Sequence, residues 1–235
     1  MKSVLLRLEG PIQAWATQSK LGVRDTDREP SKSGVLGLVG CALGMERDDD
    51  RTLALLRSLS LAVRVDRPGS LLRDYHTAGG GRFRGTKYFV EGASDCIPSQ
   101  RYYLQDAAFT AALCGDDALV DRIVAALRDP HWPIYLGRKA CVPSAPVLLG
   151  VVSASASDAV RGATLVDRRD PPLAGQPERL RLVLEAPPEE GGEPRYDEPL
   201  SFRVGAKRYG VRYVKTEWLE VAAAASPTAP LGGAS

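Results

Sequence analysis

The sequence predicts an α+β fold in which strands and helices follow the order βαββαβ. Short apolar runs bounded by glycine and proline predict strands. Two segments carry apolar residues at helical spacing and begin at residues that cap helices. A glycine-rich segment, 70–100, separates the two middle strands and contains few aliphatic residues. These three observations predict an α+β body from which one long insertion leaves.

The first strand, helix and strand are predicted between residues 3 and 65. An apolar run at 3–8 ends at a Gly-Pro pair, which predicts a strand. Pro30 followed by a serine predicts the start of a helix that runs from about 33 to 43. Alternating apolar residues over 59–65 predict the second strand. Because glycine is costly inside a helix, we expect the helix's repeated glycines to pack closely against a neighbouring backbone: Gly34, Gly37 and Gly40.

The second half of the pattern follows the insertion. The insertion is predicted to be an irregular hairpin or arm, and a strand follows at 101–113. Asp116 and Asp117 begin a second helix, which ends at Asp129-Pro130, and 134–136 is predicted to be a short strand. The order is that of a ferredoxin-like (RRM-like) βαββαβ domain over 1–146, with the insertion at about 67–101.

Beyond Pro146 the sequence predicts a mainly β C-terminal portion over 147–221. Strands are predicted at 147–153, 179–185, 199–204 and 209–214, separated by connections rich in proline and glycine. The last residues, 222–235, carry no charge and are rich in alanine, proline and glycine, which predicts a disordered tail.

The composition is that of an ordinary globular protein. The chain has 235 residues, of which 44% are hydrophobic and 26% charged, with a net charge of +2. Any positive surface for a nucleic acid therefore has to be local. Four scattered cysteines without a CxxC pair and only two histidines argue against a structural zinc site and against disulfides. The apolar runs are too short for a signal peptide or a bilayer span, so together with the cysteine usage they predict a cytoplasmic, reduced protein. We expect no metal and no cofactor.

The loop before the first helix concentrates charge. Arg24 and Arg28 precede Ser31, Lys32 and Ser33, which open the helix. Cations beside the exposed N–H donors of a helix start suit a phosphate group. The alternative is an ordinary capped helix whose charged residues pair with one another.

Two further segments are locally basic. Between Arg67 and Arg101, six cations stand against three acids, which leaves a charge of +3 among interleaved aromatic residues. Such a mixture can bind phosphates and stack on unpaired bases, and the alternative is a solvated flexible loop. The second segment, Gly137-Arg138-Lys139, follows a predicted strand end and has a surface turn as its alternative.

The residues offer little for catalysis. His76 beside Tyr75 is the one histidine in the basic insertion, whereas His131 lies between prolines and is predicted to be structural. We find no nucleophile elbow, P-loop or HExxH motif. The run Asp48-Asp49-Asp50 is interpreted as a solvated acidic turn rather than a metal site, and Cys141 has no neighbouring histidine to activate its thiol.

Five segments in order resemble the CasD family of subunits of Cascade, the type I-E CRISPR surveillance complex, in the repeat-associated mysterious protein superfamily. They cover most of 4–150, and 199–214 matches more loosely. The segments are RLEGPIQAW, RDTDREPSKSGVLGLVG, DRPGSLLRDYHTAGG, RYYLQDAAF and WPIYLGRKACVPS.

This resemblance implies a noncatalytic, cytoplasmic RNA-binding subunit of an antiviral ribonucleoprotein. Such a subunit caps the 5′ handle of the CRISPR RNA and carries a β-hairpin thumb that interrupts the guide–target duplex. It contacts the neighbouring backbone subunit, the large subunit and the target DNA strand near the thumb. Together with Arg101 of the basic insertion, the candidate RNA contacts are Arg24, Arg28, Ser31, Lys32, Ser33, Arg73, Tyr75, His76, Thr77, Arg138, Lys139, Cys141, Val142, Pro143 and Ser144.

One alternative function of a different class stays open. A metal-independent endoribonuclease specific for the CRISPR repeat would use His76 as its acid or base. A related family in another CRISPR subtype cuts RNA with a Tyr/Lys/His site. That site is not evident in this sequence, which favours binding.

Overall fold

The computed structural model describes residues 1–17, 19–20, 22–78, 97–165 and 179–221. The strands are β1 (Lys2–Glu9), β2 (Ile12–Gln13), β3 (Ser19–Lys20), β4 (Val23–Arg24), β5 (Ser60–Arg67), β6 (Ser70–Ala78), β7 (Ile97–Gln105), β8 (Ala108–Gly115), β9 (Leu148–Val152), β10 (Arg179–Glu185), β11 (Glu193–Ser201) and β12 (Arg208–Glu220). The helices are α1 (Lys32–Leu43), α2 (Asp50–Arg57), α3 (Asp117–Arg128) and α4 (Ala156–Gly162), and a 3₁₀ turn spans Pro188–Glu190.

A seven-stranded antiparallel sheet organises the molecule. Its strand order is β11-β12-β10-β5-β8-β1-β9. β9 pairs with β1, and β10 pairs with β5. Strands from both sides of residue 146 therefore belong to one sheet, in which β10, β11 and β12 extend the edge at β5.

Each face of this sheet buries a separate apolar cluster. Along β1, Val4, Leu6 and Leu8 join the large cluster beneath α1 and α3, while Leu5 points to the opposite face. This is the alternation that a strand imposes on successive side chains. The smaller cluster on the opposite face packs against α4 through Ala156, Ala159 and Val160. The larger core places α1 against the sheet and leaves one flank of the helix open.

A second, smaller sheet carries the base of the insertion. β7 is its centre and pairs with β2, β4 and β6. The β6–β7 register runs from Ser70 opposite Gln105 to Ala78 opposite Ile97, so the two strands form an antiparallel ladder. Residues 79–96 lie outside the described residues, and they include three cations of the basic insertion, Arg82, Arg84 and Lys87.

Several sequence predictions are confirmed and others are wrong. The strands predicted at 3–8, 59–65 and 179–185 and both predicted helices are present. The predicted strand at 134–136 is wrong, because this segment is irregular and holds its position through Leu136, whose N–H donates to the carbonyl of Cys141. The predicted strand at 101–113 is two strands, divided where Asp106 adopts a positive φ of 56°.

The sequence analysis did not predict two of the helices, α2 and α4. The acidic run begins α2, because the Asp49 carboxylate accepts the N–H of Thr52 as a helix cap. Ser155 caps α4 in the same way through the N–H of Asp158. β12 extends beyond the predicted 209–214, whereas β11 begins before the predicted 199–204 and ends at Ser201, three residues short of its predicted end. The predicted disordered tail, 222–235, lies outside the described residues.

None of the described helices has the length and apolar character needed to cross a membrane.

Candidate functional site

An open groove of about 1200 Å³ runs along the free flank of α1. Four segments far apart in the chain line it: residues 14–16, one flank of α1 with the turn that follows it to residue 48, the irregular segment 132–142 and the segment 202–209. We call this feature the α1 groove. It brings Ser31 and Ser33 to the same surface as Arg138, Lys139 and Val142.

The glycines of α1 form part of the groove wall. A Cβ on Gly34 would lie 2.7 Å from the Trp15 ring, and one on Gly40 would lie 2.6 Å from the methyl group of Met45. Those two glycines allow the close packing that the sequence predicts, although side chains rather than backbone approach them. Gly37 differs, because a Cβ there would have the Phe202 ring at 4.0 Å as its nearest neighbour, so this position faces open space.

The charged residues that line the α1 groove give it a net positive charge. Five cations line it against the two carboxylates of Glu46 and Asp48. The cations are Arg47, Arg138, Lys139, Arg203 and Lys207. A concave surface of one sign attracts anions of the opposite sign, which here means phosphate-bearing ligands.

The start of α1 is capped as predicted but is not a free cation site. Ser31 Oγ accepts the N–H of Gly34. Lys32, however, is buried, and its Nζ lies 3.0 Å from both Glu185 and Glu198. The backbone N–H of Lys32 donates to Asp197. Protein carboxylates thus occupy the places that we assigned to a phosphate, and we withdraw Lys32 from the candidate RNA contacts.

Glu29 of the preceding loop pairs with the C-terminal strands rather than with Arg24 or Arg28. Glu29 accepts hydrogen bonds from Arg181 on β10 and Arg195 on β11. Burial by itself raises the pKa of Glu29, but the two arginines outweigh it and hold the pKa below its ordinary value. Arg24 and Arg28 stay exposed to solvent.

Arg138 acts as a bracket between three segments. Its guanidinium donates to the backbone carbonyls of Tyr102, Arg24 and Asp25, and it lies 4.8 Å from the centre of the Tyr103 ring. These contacts tie the groove wall to β7 and β4. The guanidinium is therefore engaged by the protein itself, which changes the role we predicted for Arg138.

Arg101 lies on β7 next to Tyr102, whose carbonyl accepts a hydrogen bond from Arg138. It pairs in register with Arg24 on β4 and with Asp74 on β6. Its Nε is buried and has no hydrogen-bond partner among the described residues. Arg24, Arg101 and Arg138 thus meet where β4, β7 and the segment 137–139 come together.

The remaining hairpin candidates lie outside the α1 groove. Arg73, Tyr75, His76 and Thr77 are exposed on β6, with Arg73 opposite Tyr102. His76 Nε2 lies 3.5 Å from the carboxylate of Asp74. They form the outer strand of the hairpin base and are connected to the groove only through β7.

The segment after Arg138 divides into exposed and buried residues. Lys139, Val142 and Ser144 are exposed and Pro143 is half-buried, whereas Cys141 is fully buried. Burial raises the pKa of the Cys141 thiol, which disfavours an activated nucleophile there. The RNA contact at Cys141 stays a prediction, which the burial of this residue disfavours.

The sequence analysis missed one end of the groove entirely. Arg47, Tyr135, Lys207 and Tyr209 line it beyond the C-terminal turn of α1. No motif marks these residues, because they come from a helix end, an irregular segment and a strand edge. The one available signal was the pair of cations Lys207 and Arg208 after a glycine in a C-terminal loop.

Comparisons with known proteins agree with this architecture. The family model described as "CRISPR-associated protein (Cas_Cas5)" matches residues 3–215. The chain is 40% identical over 166 residues to the CRISPR system Cascade subunit CasD of Escherichia coli (strain K12), covering 65% of this chain and 72% of that protein.

Solved structures also match over most of the chain. A crystal structure of a Cas protein is 38% identical with a TM-score of 0.70, over 93% of this chain and 95% of the other. A chain in the structure of a CRISPR RNA-guided surveillance complex is 36% identical with a TM-score of 0.76, over 93% and 90%. The resemblance drawn from the five sequence segments is thereby confirmed, and the chain belongs to the CRISPR-associated Cas5 family.

Proposed function

We propose that this protein is a noncatalytic, RNA-binding subunit of a cytoplasmic, Cascade-type CRISPR surveillance complex, and that it holds the 5′ handle of the CRISPR RNA in the α1 groove. Its relatives include a Cascade subunit and a chain of an RNA-guided surveillance complex. Its partners would then be the CRISPR RNA, the neighbouring backbone subunit, the large subunit and the target strand.

The observation that carries this proposal is the convergence of separate segments on one positive groove. Ser31 and Ser33, Arg138 and Lys139, and the 202–209 loop line a single concavity with a net charge of +3. Arg24 and Arg101 join its edge through the Arg138 bracket. Open grooves that combine cations with aromatic rings are typical of single-stranded nucleic-acid binding.

The topology supports a ferredoxin-like core with a thumb. Within the large sheet, β9-β1-β8-β5 is the strand order of that fold, with α1 and α3 as its two crossover helices. The β6–β7 ladder emerges between β5 and β8, where the thumb is expected. Because Arg138 ties β7 to the groove, a thumb inserted into a guide–target duplex would be positioned relative to the held handle.

The surroundings of His76 support binding rather than cleavage. Asp74, at 3.5 Å, is the ionisable partner that the structure gives it, and both side chains are nearly half exposed. General acid–base cleavage of RNA needs a positioned second proton-transfer group close to the scissile phosphate. Among the residues described, no lysine forms a contact with His76.

Co-purification tests the proposal directly. The tagged chain would be expressed with its neighbouring subunits and a CRISPR array, and the bound RNA sequenced from its 5′ end. We expect a small RNA with a uniform 5′ end, and an absence of specific RNA would contradict the proposal. In a metal-free assay on labelled repeat RNA, cleavage that is abolished by His76→Ala would establish the alternative endoribonuclease.

A substitution of Lys139 tests whether the α1 groove is the RNA-binding site. Lys139→Ala should weaken retention of handle-bearing RNA and reduce the slope of log affinity against log salt by about 0.7, the value for one phosphate contact on a single strand. Arg179→Ala is the matched control, because Arg179 is an exposed cation on β10 that does not line the groove. Equal salt slopes for both variants would remove the α1 groove from the proposal.

A further inference from the structure

We infer that the α1 groove holds a second RNA seat at the C-terminal end of α1, where Arg47 and Lys207 bind a backbone phosphate and Tyr135 and Tyr209 stack on a base. We call it the distal seat. It rests on the proposed function, since its ligand is a further stretch of the same single strand. It lies apart from every RNA contact predicted from the sequence.

The length of the groove requires more than one nucleotide to fill it. Ser33 and Cys41 both line it, and they are eight residues apart on α1, a distance of about 12 Å at the helical rise. Successive phosphates along a stacked strand are separated by about 3.4 Å along the axis. A strand held beside Ser33 and Lys139 therefore spans several nucleotides before it reaches Arg47 and Lys207.

In the part of the chain that the structure describes, Arg47 and Lys207 form no ion pair, in contrast to the nearby Arg203. Within the described parts of the chain, neither Arg47 nor Lys207 has a carboxylate within 4.0 Å. Arg203 of the same loop is paired with Asp50 at 3.2 Å. Arg47 and Lys207 are both exposed at the groove, so their charge is available to an anion.

The end of a helix would by itself repel a phosphate, because the last carbonyls carry partial negative charge. Here three of the last four carbonyls are already bound. Gly44 and Trp132 donate to the carbonyl of Cys41, Met45 donates to that of Gly40, and His131 donates to that of Ala42. The charge at the distal seat is therefore set mainly by side chains, namely Arg47 and Lys207 together with the carboxylates of Glu46 and Asp48 on either side of Arg47.

Two phenol rings accompany the cations. Tyr135 and Tyr209 line the same groove as Arg47 and Lys207. Burial raises the pKa of both phenols, and the side chain of Cys41 adds to the rise at Tyr135, so both rings stay neutral. Beside them, Gly37 leaves open space in the groove wall where a side chain would intrude.

This combination of contacts predicts binding without sequence preference. Phosphate contacts carry no base information, and stacking on aromatic rings accepts every base. The distal seat should therefore add affinity to any handle that is long enough to reach it.

The test uses the purified full-length chain and fluorescein-labelled oligouridylates of increasing length, titrated at several salt concentrations. For the wild type, affinity should rise with length and then level off once both parts of the groove are filled. The double variant Arg47→Ala/Lys207→Ala should bind short RNAs normally and lose about tenfold for long ones, with a salt slope lower by about 0.7, the value for the one phosphate that the two cations share. Tyr135→Leu should lose affinity for long RNA at an unchanged salt slope.

Controls separate this inference from the proposed function. Arg208→Ala changes an exposed cation adjacent to Lys207 that does not line the groove, and it should leave binding unchanged. Lys139→Ala should weaken short and long RNAs alike. If Lys139→Ala weakens binding and the double variant matches wild type at every length, the distal seat is wrong and the proposed function stands. A wild-type chain that binds none of these RNAs overturns both.

The remaining outcome concerns a protein occupant. If the double variant retains wild-type affinity for long RNA but loses a neighbouring subunit from the assembled particle, the seat binds protein and the inference fails. Thermal unfolding of each variant accompanies the titrations, so that a loss of folding is not taken for a loss of binding.

Discussion

At the residue scale, the cations around the α1 groove differ in what their donors already bind. Lys32 is buried between two carboxylates, Arg138 donates to three backbone carbonyls, and Lys139 is exposed. A cation whose donors are satisfied by the protein positions other groups, whereas one in solvent can release counterions when it meets a phosphate. These three side chains carry the same charge but therefore have three different roles.

Arg138 and Lys139 should separate in an RNA-binding experiment. Arg138→Lys removes the planar fork that reaches three carbonyls, so it should loosen β4 against β7 and lower affinity at a nearly unchanged salt slope. Hydrogen exchange should increase at β4 and β7 amides for this variant and not for Lys139→Ala. A reduced salt slope with unchanged exchange would show that Arg138 contacts phosphate directly.

Glu29 predicts a pH dependence of stability. Its pKa is lowered in the folded protein, so its stabilisation is complete above the ordinary value of 4.5 and is lost as the pH falls through the lower folded pKa. Glu29→Gln should lower the free energy of unfolding at neutral pH by about 3 kcal/mol, because it leaves Arg181 and Arg195 without their carboxylate.

Denaturant unfolding between pH 3 and 7 measures this effect. Glu29→Gln should also flatten the decline of stability in acid. Glu220→Gln is the control, since its pair with Arg179 is exposed and contributes well under 1 kcal/mol. Parallel pH profiles for Glu29→Gln and the wild type would contradict the assignment.

At the element scale, α1 is held from its N-terminal end by the C-terminal strands. Asp197 on β11 accepts the first helical N–H, while Glu185 on β10 and Glu198 on β11 bind Lys32. Arg212 on β12 completes the cluster by binding Asp197. The start of the helix and the groove beside it are thus fixed by residues more than 150 positions away in the chain.

Lys32→Ala should therefore act on stability before it acts on RNA. Removing Lys32 leaves Glu185 with Arg212 and Glu198 with Arg57 as their remaining cations. The loss should therefore be smaller than about 3–5 kcal/mol, the cost of a buried charge that keeps no partner. Adding Arg57→Ala to this variant should deepen the loss, because Glu198 then keeps neither cation. A Lys32→Ala variant of wild-type stability with weakened RNA binding would restore Lys32 as a direct contact.

At the scale of the whole molecule, one sheet joins what the sequence divides into two portions. Val147, Val183 and Val214 belong to the same apolar cluster as Val4 and the α1 residues. β9 pairs with β1, and β10 covers the edge that β5 would otherwise leave open. Among the described strands, the edges of the completed sheet are β9 and β11.

A chain that ends at residue 146 should consequently fail to fold cooperatively. It would lose β9 from β1 and β10 from β5, together with part of the main core. Near-ultraviolet circular dichroism during thermal unfolding measures this. A chain that ends at Val221 is the control and should unfold like the whole protein. A cooperative transition in the shorter chain would support 1–146 as an independent domain.

Much of the element order is encoded locally. Apolar alternation in β1 and β5, helical spacing in α1 and α3, and caps such as Ser31 and Asp116 all lie within a few residues of the elements they specify. The elements that the sequence analysis did not predict also have physical causes. The eight-residue helix α2 is too short for a clear period, and its cap lies within an acidic run that suggested a turn.

The sequence alone determined the family, the order of most elements and the segments rich in positive charge, because motifs, periodicity and composition are properties of contiguous residues. Only the tertiary structure decided which of those cations face solvent. Lys32 meets Glu185 and Glu198 across more than 150 residues, and Arg47 and Lys207 line one groove only in the folded chain. Burial and ion pairing are set by these distant contacts, and no local pattern specifies them.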